Sequence, residues 1–179
     1  MTKYLRLFAA AALLSFAFAC GGAADLGDED ANNDDVKASA EPTTWVTVAA
    51  AAAKKYASGT NLVVIDGHLG PVDNFLWTYT FVSDDGLSFA TVQCDGVTAK
   101  VIEHHKNAAR TMGQAMLDMT TVKVSVSKLM TIGQKQGLHG RVGSMVLSEA
   151  LTQTMHPHWF LTQGGKEIIV DAKTAALVQ

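Results

Sequence analysis

The segment Phe75–Val82, FLWTYTFV, limits the fold more than any other stretch of the chain. Phe75, Trp77, Tyr79 and Phe81 fall on one side of an extended backbone, and Leu76, Thr78, Thr80 and Val82 on the other. Alternation with period two and aromatic enrichment fits a pleated strand with one packed face, not a helix. The turn signal Asp84-Asp85-Gly86 follows, then the returning run Leu87–Cys94, a second turn at Asp95-Gly96 and a third run Thr98–His105. Consecutive extended runs joined by tight turns make an antiparallel meander. Upstream, Asn61–Gly67 reads as a further strand. Thr43–Gly59 reads as a helix, with Trp45, Val48 or Ala49, Ala52 and Tyr56 at helical spacing, alanine favouring the helix and Gly59 closing it.

The order then repeats. Thr120–Gly137 carries Val126, Leu129, Met130 and Ile132 as an apolar stripe and ends on glycine. Arg141–Leu151, His156–Thr162, Lys166–Ala172 and Ala176–Gln179 read as strands. Four landmarks are nearly constantly offset: Thr43 to Thr120 by 77 residues, and Gly59 to Gly137, Phe81 to Trp159 and Val92 to Val170 by 78. A fixed offset signals internal duplication. The expected class is α+β, with two similar modules, each a helix packed on an antiparallel β-meander.

The closing run Ile169-Val170-Asp171-Ala172-Lys173-Thr174, with Leu177-Val178 beyond it and the aromatic strand Trp159-Phe160 before it, resembles the V-D-A-x-T-G-x-V ending of PepSY-type modules. The first half offers Trp77–Phe81, Val92–Gly96 and Ala99–Val101 in the same places. Two departures stand out: Ala175 replaces the family's glycine, and the turn of the first half is one residue longer. The resemblance covers residues 42–179. It implies a PepSY/cystatin-like fold and a non-catalytic role, inhibitory or ligand-binding, with a protein or peptide partner.

The N-terminus is of another kind. Lys3 and Arg6 precede the run Leu7–Ala19, which only Ser15 interrupts. At 13 residues the run falls short of the roughly 20 needed to span a bilayer and has the length of a secretory h-region. Ala17-Phe18-Ala19 satisfies the rule for ordinary signal cleavage. Cys20-Gly21-Gly22 resembles a bacterial lipobox, with Ala17 in place of the usual leucine. The sequel favours acylation of Cys20: residues 20–41 carry seven acids, one lysine and no aromatic, a composition that stays disordered and suits a tether. The segment resembles those of Gram-negative lipoproteins, and in that resemblance the absence of Asp after Cys20 implies the outer membrane facing the periplasm, with a soluble periplasmic or extracellular protein as the alternative. The expected organisation is a signal peptide at 1–19, an acidic tether at 20–41, a first PepSY-like module at 42–106, a connector at 107–119 and a second module at 120–179.

Composition then closes off several classes. The chain has 179 residues, a net charge of -3 and two cysteines. That cysteine count excludes a disulfide scaffold and a paired-Cys zinc module. From Pro42 onward eleven bases meet ten acids with no block of one sign, which argues against a nucleic-acid partner. With Cys20 acylated, Cys94 is a lone thiol, expected to be buried and inert.

Histidines are the remaining chemical resource. His104 and His105 are adjacent and on a strand face opposite ways. His156-Pro157-His158 puts two imidazoles two residues apart, a spacing that can share a face and ligate Zn²⁺ or Cu²⁺ if His68 or His139 adds a third ligand. The competing reading is a pair of ordinary surface histidines beside Pro157. The chain has no G-x-S-x-G and no H-E-x-x-H, and Gly140–Ser144 lacks the Lys-Ser/Thr of a phosphate loop. Neither catalysis nor a cofactor is expected. Met112, Met116 and Met119, at helical spacing in the connector, are expected to pack in the core or between the modules, with a soft-metal site or an adaptable partner surface as the alternative.

Overall fold

The structure, a computed structural model, describes residues 41–69, 75–106, 116–138, 142–149 and 156–178. Its framework is one continuous antiparallel sheet of seven strands in the order β4-β3-β2-β1-β5-β6-β7. The strands are β1 (Asn61–Leu69), β2 (Phe75–Val82), β3 (Phe89–Cys94), β4 (Ala99–His105), β5 (Ser144–Ser148), β6 (His158–Gln163) and β7 (Lys166–Asp171). Two short helices accompany them, α1 (Val46–Ala53), which follows a 3-10 turn at Pro42–Trp45, and α2 (Val126–Lys135). The architecture is α+β.

The alternation at 75–82 does what its period dictates. Trp77, Tyr79 and Phe81 are buried, and Leu76, Thr78, Thr80 and Val82 are half-buried on the reverse side. One row of directly opposed residues crosses the whole sheet: Val101, Val92, Tyr79, Ile65, Leu147, Trp159 and Val170. All of them lie in or against a single hydrophobic cluster that also takes in Ala49 and Ala53 of α1 and Val126, Leu129 and Met130 of α2. Burial of this kind contributes about 25 cal/mol per Å² of apolar surface removed from water, so a row shared by seven strands binds them into one core.

Gly67 marks where that core is tightest. It lies opposite Trp77 across the β1–β2 ladder and opposite Met145 across β1–β5. A Cβ at this position would collide with the Trp77 indole. The space left by glycine lets the indole lie flat over β1 and meet Trp159 edge to face at 6.2 Å.

Several sequence expectations shift. The first helix is only Val46–Ala53, and residues 54–59 close it as turns, with Gly59 at φ 93. The strand expected at 176–179 is reduced to the bridge Val170–Leu177 and the bond from Val178 N to Ile169 O. The connector is not helical where described. Asp118 Oδ1 accepts the Thr120 amide at 3.0 Å in a turn, and Met116 is 64% exposed instead of packed, while Met119 does reach the core. Met112 lies outside the described residues. Glu41, read as the last acid of the tether, is fixed to the fold: its Oε1 accepts the Val126 amide at the start of α2 at 2.9 Å.

Candidate functional site

The helices cover one face of the sheet, and the reverse face carries the remaining side chains of every strand. The row of opposed residues across its middle is Lys100, Gln93, Thr78, Asp66, Val146, Phe160 and Ile169. On the β2–β3 side this row is polar. On the β5–β6–β7 side it is apolar, with Val146, Phe160 and Ile169 half-exposed in one line between the polar rows Ser144–Thr162–Glu167 and Ser148–His158–Asp171. Asp66 stands at the junction, accepting from His68 Nε2 on Oδ2 at 3.1 Å, while its buried Oδ1 has no partner among the described residues.

The two edges are less receptive. β4 carries a register irregularity against β3 between Val101 and Glu103, and displays Lys100, Glu103, His104 and His105. A bulge and charges are standard protection against strand addition. On the other edge, residues 176–178 already bond to β7 through Val178 N to Ile169 O and Asp171 N to Ala176 O. Beside them an open groove of about 450 Å³ is lined by Gln136, Lys166, Glu167, Ile168, Leu177 and neighbours.

At one end of the β5–β6–β7 side lies the His-Pro-His segment. His158 opens β6 directly opposite Ser148 and Asp171, and is 1% exposed. Burial holds its pKa below the ordinary 6.5, with the neighbouring Asp171 charge working against that and His156 adding to it. Burial also works against the Asp171 carboxylate. The amides of Thr174 and Lys173, which bond to Oδ1 at 2.7 and 2.9 Å, outweigh it and bring its pKa below 3.8. His156 precedes the strand, half-exposed, with its buried Nδ1 unpartnered among the described residues. Among the described residues no group of three or more His, Cys, Asp or Glu is arranged to hold a metal. His68 is exposed on β1 and paired with Asp66, and His139 lies outside the described residues.

The other candidates fall into place individually. His104 stacks on Tyr56 at 4.1 Å on the α1 side, and His105 meets Phe89 at 4.9 Å and Glu103 at 3.1 Å on the reverse side. Cys94 is fully buried, and burial followed by the Asp95 charge pushes its thiol up to about 11, which makes it a poor nucleophile. Cys20 lies outside the described residues. No helix among the described residues is long and apolar enough to cross a membrane.

The fold class is therefore a single antiparallel sheet covered by helices on one face. The crystal structure of a "putative lipoprotein (CD1622)" from Clostridium difficile 630 is similar, with a TM-score of 0.51 and 17% identity over 67% of this chain and 80% of that one. At that identity the correspondence is one of fold. No protein-family model matches the chain, and no curated protein does.

Proposed function

We propose that the chain is a non-catalytic cell-envelope lipoprotein, acylated on Cys20 and carried on the acidic segment 20–41. In this reading it faces the periplasm from the outer membrane. Its folded part is two PepSY-like modules, 42–106 and 120–179 with the connector 107–119, which bind a protein or peptide partner, a peptidase among the candidates. The observation that carries the anchor is Cys20 directly after a secretory h-region and before an acidic run. The fold it shares with a protein described as a lipoprotein adds support.

Support for the two modules comes from corresponding turns. Asp95 Oδ1 accepts the amides of Val97 and Thr98 at 2.9 and 2.7 Å. Asp171 Oδ1 accepts those of Lys173 and Thr174 at 2.9 and 2.7 Å. The row Ile65–Tyr79–Val92 likewise answers to Leu147–Trp159–Val170, the halves meeting at the pair Ile65–Leu147. Since both sheet edges are blunted, the open face at Val146, Phe160 and Ile169 is the preferred docking surface. The test is photocrosslinking in intact cells from position 160 or, as control, from position 48 on α1. A product that needs position 160 and disappears with Val146→Asp supports the reading, and equal products from both positions refute it. Fatty-acid labelling that is unchanged by Cys20→Ala would remove the anchor.

A second reading keeps His156 and His158 as metal ligands, prompted by the buried Nδ1 of His156, which has no partner among the described residues, and by the electrostatic coupling of that ring to Asp118 and Asp171. Calorimetric titration with Zn²⁺ and Cu²⁺ decides it, since no heat from the wild type ends that reading.

A further inference from the structure

The exposed side of α1 is unlike an ordinary solvated helix. The residues it turns outward are Thr47, Val48, Ala51, Lys54 and Lys55, with Val48 46% exposed. No acid occurs between Pro42 and Lys55. A helix face exposed to water normally carries mixed charges. This one is smooth, uncharged along Val46–Ala53, and finished by two lysines at its C-terminal end. Asp84, whose amide bonds to Ser58 O in the closing turn, has its carboxylate bonded to the Asn61 side chain at 2.8 Å.

What covers this face follows from where the chain leads. Glu41 is bonded to Val126 N, and Pro42 O accepts the Tyr79 hydroxyl at 2.8 Å. The described chain therefore begins only a few residues before α1, with Glu41 and Pro42 held on the helix-covered side of the sheet. From Glu41 back to Cys20 the chain reaches at most about 75 Å even when fully extended. We propose that α1 rests on the membrane surface through Thr47, Val48 and Ala51, with Lys54 and Lys55 on anionic lipid headgroups. This inference rests on the lipoprotein reading above.

Three small side chains and two lysines make a weak contact, and a weak contact is enough. Tethering converts docking into an intramolecular event at an effective concentration on the order of millimolar. Each lysine near an anionic surface strengthens binding about fivefold. In this posture the open face with Val146, Phe160 and Ile169 points away from the lipid, toward an aqueous partner.

The test uses the mature chain coupled through the Cys20 thiol to a maleimide lipid, a reaction that spares the buried Cys94. Vesicles are phosphatidylcholine with or without phosphatidylglycerol, doped with a paramagnetic headgroup lipid, and backbone amide signals are recorded. The expected result is strong broadening at Thr47–Lys55 and little at Phe160, dependent on phosphatidylglycerol. Lys54→Gln/Lys55→Gln should weaken the contact roughly thirtyfold. Broadening equal on α1 and β6, or unaffected by the double substitution, overturns the proposal. So does a shift of the α1 signals on deleting residues 21–40 without vesicles, which would make the acidic segment the occupant. Because the coupling is chemical, its outcome is independent of acylation in cells. Failed fatty-acid labelling would sink the lipoprotein reading alone.

Discussion

Ala175 shows how a residue-level departure from a pattern becomes physical. Its φ is +64, in the left-handed region where a Cβ crowds the backbone, and it closes the turn begun by Asp171 through its amide bond to Asp171 O at 3.0 Å. The left-handed conformation costs a residue with a Cβ about 1–2 kcal/mol, which glycine avoids while giving back part in unfolded-state entropy. Ala175→Gly should therefore stabilise the fold by about 0.5–1 kcal/mol, read as a higher denaturant midpoint at unchanged slope. The position stood out in sequence because Ala175 replaces the glycine of the ending that the closing run resembles. Gly67 was not, since its reason is an indole on another strand. His158 was visible only as half of a possible ligand pair, although its burial beside Asp171 is what sets its chemistry. With its folded pKa depressed, the unfolded chain takes up this proton first. Stability should then fall as pH drops below about 6.5, by at most about 1.4 kcal/mol per pH unit. The Asp171 contribution is lost only below the ordinary carboxylate value of 3.8. His158→Gln should flatten the decline between pH 6.5 and 5 in denaturant titrations, and an unchanged slope would assign it elsewhere.

At the scale of elements, strands with strong alternation were legible and their neighbours were not. β2 was read to its boundaries because its aromatics alternate without a break. The helix stripe Val126, Leu129 and Met130 was read because its spacing is short-range, and all three are buried. What local pattern cannot carry is pairing across distance. The capping of α2 by Glu41 joins residues 85 apart in sequence, and nothing near either residue announces it. The carboxylate also sits beside the positive end of the helix, with Ser125 capping Lys128 N on the same turn. Burial raises the Glu41 pKa, and the bond from Val126 opposes it. Glu41→Ala should cost about 1 kcal/mol and speed amide exchange at Val126 selectively. Glu41→Gln, which keeps an acceptor oxygen, should recover part of the loss. Uniform acceleration over the whole sheet in either variant would deny the bond a local role.

The whole molecule differs most from what repetition suggests. A duplicated pattern invites the picture of two separate units, yet β1 pairs with β2 on one side and with β5 on the other, so the sheet has no seam at its middle. The register Ile65–Leu147 and Gly67–Met145 puts core side chains of the two halves opposite one another. Trp77 from one half meets Trp159 from the other over the space left by Gly67. This could not be read from sequence, because β1 looks the same whether its outer edge faces water or β5. The energetic consequence is cooperativity. Unfolding either half alone would strip a full strand ladder from β1 or β5 and expose an indole that the other half covers. That cost falls on the half left behind, so a partly unfolded state should not accumulate. Residues 42–179 should unfold in one transition with equal calorimetric and van't Hoff enthalpies. Gly67→Val, by driving the indole off β1, should lower the single midpoint without splitting it. Two resolved transitions, with one moved by Gly67→Val and the other not, would mean that the halves are thermodynamically separate despite their common sheet.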